Sequence, residues 1–102
     1  MYQFTTPTLT IGFPAEQLPV GDISSLVVTI VQGNNRLELT LADVTLDTET
    51  NSIGVSLSQE QTGQFEKGFI RLQVHIKAGT AAYCTDVKQL MVNENIHGKV
   101  IG

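Results

Sequence analysis

From Gly68 to Lys77 every second residue is apolar: Ile70, Leu72, Val74 and Ile76 alternate with Arg71, Gln73, His75 and Lys77. Strand side chains point to opposite faces with period two, so this stretch predicts a strand with one buried and one wet face. A helix would scatter the four aliphatics around its circumference. The same alternation recurs elsewhere. It starts at Tyr2, is broken by Pro7, and resumes with Leu9, Ile11 and Phe13 on one face. Proline cannot donate to a ladder, so an edge strand is expected there. Pro14 to Asp22, with two prolines and a glycine, predicts a loop holding one short turn. Ile23 to Gln32 sets Leu26, Val28 and Ile30 against Val27, Thr29 and Val31; both faces are rather apolar, as in a central or covered strand. Gly33-Asn34-Asn35 signals a tight turn, and Arg36 to Leu41 alternates again, completing a hairpin.

Ala42 to Leu46 is expected to continue extended into a polar loop, Asp47 to Asn51. Ser52 to Leu57 follows as a strand with Ile53, Val55 and Leu57 inward. Ser58 suits a helix N-cap, and Gln61 three residues on can close a capping box. Gly63 stops that helix after one or two turns, and Phe65 is expected to plug the end of the core. After a turn at Ala78 to Ala81, Ala82 to Val92 is expected to form one long last strand. Its parity shifts between Tyr83, Thr85, Val87 and Leu90, Val92, which predicts a β-bulge near Lys88-Gln89. Residues 93–102 form a tail with a small apolar patch. About seven short strands with turn signals roughly every ten residues predict an all-β antiparallel sandwich or barrel. The short helical turn before Phe69 is of the kind that crosses between sheets in immunoglobulin-like sandwiches. One domain, residues 1–102, is expected from 102 residues.

Composition narrows the function classes. The core must be aliphatic, since the chain has no Trp, four Phe and two Tyr. Net charge is −4 and pI about 4.9. Without a Lys/Arg cluster, neither a nucleic-acid footprint nor an electrostatic membrane-surface binder is expected. No apolar run reaches spanning length, and Met-Tyr-Gln-Phe does not open a signal peptide. The protein is thus expected to be made and left in a cytoplasm, or released by lysis. Cys84 is the sole cysteine, which fits a reducing compartment.

Three stretches carry a resemblance. The opening Tyr2-Gln3-Phe4-Thr5-Thr6-Pro7-Thr8-Leu9-Thr10 is similar to that of small prophage-encoded proteins of Gram-positive bacteria. So is the central Leu57-Ser58-Gln59-Glu60-Gln61-Thr62 ahead of a Phe and a Gly. The end resembles a Val-x-x-x-Leu-x-x-Gly-x-Ile pattern, here Val92, Ile96, Gly98 and Ile101, with Ile96 in place of Leu. This group resembles the immunoglobulin-like N-terminal domain of phage baseplate upper proteins. The resemblance implies an immunoglobulin-like sandwich and a structural role in a phage tail, baseplate or prophage remnant. Implied partners are other phage structural proteins or further copies of the chain. In larger relatives the domain is an attachment module, and other domains reach the receptor.

Candidate chemistry is sparse. His75, between Gln73 and Lys77 on the wet face, would need metal-ligand partners from other strands; only Asp86 offers itself, and two residues make no site. Both His75 and His97 read as solvated. Cys84 has no catalytic signature around it, and free cysteine is among the most buried residue types, so a core thiol is expected. Asp43, Asp47 and Glu49 are close in sequence, but Asp47 to Asn51 offers the alternation of a Ca²⁺ loop without its glycine, and the run reads as a solvated loop. The aromatics Tyr2, Phe4, Phe13, Phe65, Phe69 and Tyr83 are expected mostly in the core, leaving little for a carbohydrate platform. No enzyme, cofactor or metal is called for, and Cys84 exposed beside His75 is the one arrangement that would reopen the enzyme reading. Interaction surfaces are better candidates. Val27 and Val31 would form an apolar strip if their face is open. Arg71, His75 and Lys77 form the wet row of the Gly68–Lys77 strand. Val100 and Ile101 either cover the domain's own core or dock on a partner. An assembly module and a free-standing immunoglobulin-like module for carbohydrate or a surface receptor both remain open.

Overall fold

The computed structural model describes all 102 residues. Eight strands form: β1 (Thr8–Gly12), β2 (Ser25–Gln32), β3 (Asn35–Thr40), β4 (Val44–Asp47), β5 (Ser52–Ser56), β6 (Gly68–Ala78), β7 (Ala81–Cys84) and β8 (Lys88–Val92). One helix, α1 (Gln59–Gly63), lies between β5 and β6. The smaller sheet has the order β1-β5-β4. The larger runs β3-β2-β6, and β7 and β8 both pair with β6, one after the other. All pairs are antiparallel. Three rails facing four, with a crossover helix before the long central strand, is the strand order of an immunoglobulin-like sandwich.

The alternation read from the sequence decides the faces. Ile70, Leu72, Val74 and Ile76 of β6 are buried, as are Leu26, Val28 and Ile30 of β2. They meet Ile11, Ile53 and Val55 of the smaller sheet in one core. Phe65 is fully buried, as its place after α1 demanded. Both tight hairpins have a two-residue loop, Gly33-Asn34 and Gly79-Thr80, with positive φ only at the leading glycine. That pattern matches the twist of flanking strands. Ser58 caps α1: its hydroxyl accepts the Gln61 N–H at 3.1 Å, and the Gln61 side chain accepts the Ser58 N–H at 2.9 Å.

Three local expectations are corrected. Ala42 does not continue an extended chain: Leu41–Asp43 is a 3₁₀ turn, because Asp43 accepts the Thr40 N–H at 2.9 Å and closes a capping box. Tyr2 to Thr6 is no strand; Phe4 has φ +57°, and its ring lies over Gly63. The fully buried Thr62 hydroxyl ties this segment down, donating to the Thr5 carbonyl at 2.9 Å and accepting the Thr5 N–H at 3.0 Å. The last strand is divided. Cys84 pairs with His75 and Lys88 with Leu72, so one extra residue bulges out between them, at Thr85 to Val87 and not at Lys88-Gln89. Thr85 holds the break: its N–H donates to the Val74 carbonyl at 2.9 Å, and its hydroxyl accepts the Val74 N–H at 3.0 Å.

Candidate interaction face

The outward residues of the larger sheet form a lattice that the register fixes. Arg36, Val31, Arg71 and Gln89 stand in one row across β3, β2, β6 and β8. Glu38, Thr29 and Gln73 make the next, then Thr40, Val27, His75 and Cys84. Ser25, Lys77 and Ala82 close one end. Phe69 and Met91 pair at the other, 59% and 44% exposed.

Five of the seven residues marked from the sequence, Val27, Val31, Arg71, His75 and Lys77, therefore share one face. Val27 and Val31 are half-buried between longer neighbours; Arg71, His75 and Lys77 are exposed. Arg36, Glu38, Phe69 and Met91 belong to the same face and were missed. The Gly33-Asn34 turn could have supplied Arg36 and Glu38, because a two-residue loop places Arg36 opposite Val31. Arg36 and Glu38 approach to 3.8 Å on the open edge strand. Such charges keep an edge from pairing freely with another chain.

Val100 and Ile101 lie elsewhere, at α1. The Gln59 side chain donates to the Ile101 carbonyl at 3.0 Å and accepts its N–H at 2.8 Å. Asn95 likewise donates to the Gln3 carbonyl at 3.0 Å. The tail's backbone is thus fastened to its own domain, while the Ile96 and Ile101 side chains remain exposed.

Cys84 is exposed, contrary to the core thiol expected. The inward position on this rail is taken by Tyr83, opposite Ile76, so Cys84 turns outward beside His75. The adjoining Val74–Thr85 bond makes His75–Cys84 a non-hydrogen-bonded pair, the type whose side chains come closest. A cysteine nucleophile also needs a base oriented by a third group, and donors for the developing oxyanion. Nowhere do three His, Cys, Asp or Glu residues gather into a metal-binding cluster. Next to His75 is only a shallow groove of about 200 Å³, lined by Ser25, Val27, Lys77 and Ala82 among others.

The aromatic expectation is also corrected. Phe65 alone is fully buried, while Tyr2, Phe69 and Tyr83 are exposed. Phe69 points outward by the parity of β6, and Tyr83 stands at the rim of the sandwich. With Gln17, Leu18, Pro19 and Asp22, Tyr83 borders a hollow of about 490 Å³.

The outward face of the smaller sheet is different in kind. Its rows are Thr8–Ser56, Thr10–Gly54–Thr45 and Gly12–Ser52–Asp47. They line an open depression of about 620 Å³ without one hydrophobic side chain. Asp47 lies at its edge with its carboxyl held below the usual carboxylate range, chiefly by the Thr50 N–H, then the Thr50 hydroxyl and the Glu49 N–H. Asp43 and Glu49 are exposed nearby in the chain, and none of the three gathers into a cation cluster.

No protein-family model matches the chain, and no curated protein matches it in sequence.

Proposed function

We propose that the chain is a non-enzymatic structural module of a phage or prophage, joining a tail or baseplate through protein–protein contacts on the outward face of the β3-β2-β6-β7/β8 sheet. The observation that carries the assembly role is the register: it gathers Val27, Val31, Arg71, His75 and Lys77 on one exposed surface, with Phe69–Met91 at its end. Half-buried valines among long charged side chains give a contact both an apolar centre and a polar rim. The phage setting rests on the resemblance in residues 2–10, 57–62 and 92–101. Induced lysate of a host carrying the gene, separated on a density gradient, tests it. The chain is expected in the particle fraction at a fixed ratio to tail proteins. Its confinement to the soluble fraction would overturn the proposal.

One observation favours a second reading, a free-standing module for carbohydrate or a surface receptor. Tyr83, 41% exposed, stands over a hollow that Gln17 and Asp22 also border. A ring with planar amide and carboxylate groups suits a sugar ring's apolar face and hydroxyls. A glycan array separates the readings: Tyr83-dependent signals support this one, and their absence removes it.

A further inference from the structure

The two outward faces of the sandwich differ in charge and relief. The chain has six Lys and Arg against ten Asp and Glu. Three of those cations, Arg36, Arg71 and Lys77, stand on the larger sheet's face with Glu38, and the Asp43 carboxylate accepts the Thr40 hydroxyl at its edge. The smaller sheet's face carries no cation. Asp47 lies at its edge, and Glu49 follows in the β4–β5 turn. Relief matches charge. Arg71, Gln73, His75 and Lys77 project from one face, whereas Gly54, flanked by Thr10 and Thr45, leaves a hollow in the other.

We infer that copies of this chain stack head to tail, the basic β3-β2-β6-β7/β8 face of one seated on the hydroxyl-lined β1-β5-β4 face of the next. The inference rests on the assembly reading above and names a second copy as the occupant of the face. The contact is heterologous, so it builds rings or filaments, not closed two-fold dimers. The smaller sheet limits the contact: its three rails, about 4.8 Å apart and about five residues long at about 3.3 Å each, span roughly 240 Å². A stable interface takes about 800 Å² per partner, so one contact is weak and copy number rises with concentration. Salt opposes it, because the Debye length falls from about 10 Å at 0.1 M to about 3 Å at 1 M.

Sedimentation velocity of the full chain across micromolar to millimolar concentration tests this, with two variants that change exposed side chains. Arg71→Glu/Lys77→Glu reverses the basic face. Asp47→Asn/Glu49→Lys reverses the other and keeps an acceptor at position 47. Urea midpoints near wild type establish that both fold. The wild type is expected to grow with concentration at low salt, about tenfold less readily at 1 M salt. Each variant alone is expected to stay monomeric, and a mixture of the two to form mixed species, because each supplies one intact face. If Asp47→Asn/Glu49→Lys associates like wild type while Arg71→Glu/Lys77→Glu does not, the contact is two-fold through the basic face and head-to-tail stacking is wrong. A wild type that stays monomeric throughout also overturns the stacking; recovery of the chain in phage particles would then still uphold the assembly reading, with a different protein as partner.

Discussion

Thr85→Val should unpick the break in the last strand. Val is nearly isosteric with Thr and suits extended backbone, so volume and propensity change little. The Thr85 N–H bond to Val74 and the Gln73 side-chain bond to the Thr85 carbonyl both involve backbone atoms of Thr85 and survive. What is lost is the acceptor of the Val74 N–H, in a residue that is fully buried. A buried donor left unpaired costs about 1–3 kcal/mol. At about 2 kcal/mol, and about 4–8 °C per kcal/mol for a domain of this size, Tm should fall by about 8–16 °C. Thr85→Ser keeps the hydroxyl and should lose about 1 kcal/mol or less for one methyl. Urea unfolding supplies the free energies, and amide exchange at Val74 supplies the local readout. The reasoning fails if Thr85→Val is as stable as Thr85→Ser, or if the Val74 amide stays equally protected.

Gly63→Ala should destabilise by about 1–3 kcal/mol, because a Cβ there would run into the Phe4 ring; Phe4→Leu in the same chain should recover part of the loss in urea unfolding. Asn51→Ala removes bonds to the Val20 N–H (2.9 Å) and the Phe13 and Leu18 carbonyls (2.8 and 2.9 Å). It should cost about 2–4 kcal/mol, with Asn51→Asp intermediate because it keeps the acceptor. Asp47 titrates lower folded than unfolded, so its stabilisation is complete above the unfolded carboxylate range and is lost as pH falls through the folded value. Asp47→Asn should lower stability near neutrality, where that contribution is complete, and flatten the acid limb of the stability–pH curve. Cys84 should react fully with an aromatic disulfide reagent without denaturant; a thiol that reacts only on unfolding would contradict its outward position.

The fold was largely legible because period-two alternation is a local signal that survives without knowledge of neighbours. Ile70 to Ile76 and Leu26 to Ile30 fixed their inner faces, and Ser58 and Gln61 announced α1. The bulge was legible as a phase error but not as a place. Parity shows that one residue is extra, while only the Thr85 hydroxyl, acting as a substitute backbone acceptor, decides where it goes. Cys84 was misplaced for another reason: a core thiol was expected from residue type alone, whereas alternation with the inward Tyr83 turns Cys84 outward. Asn51 read as surface loop because its three bonds reach residues 31 to 38 positions away, which no local pattern encodes. Of the face itself, the rows on β2 and β6 followed from alternation. The Phe69–Met91 end and the contrast with the Thr- and Ser-lined opposite face needed the register of separate strands.

The central claim is that this module works through the outward face of its larger sheet. The most direct measurement compares particles from hosts carrying wild type or Arg71→Glu/Lys77→Glu, with soluble fractions assayed in parallel. Wild type should copurify with particles, and the variant should be folded, abundant and absent from them. A variant incorporated at the wild-type ratio would contradict the claim.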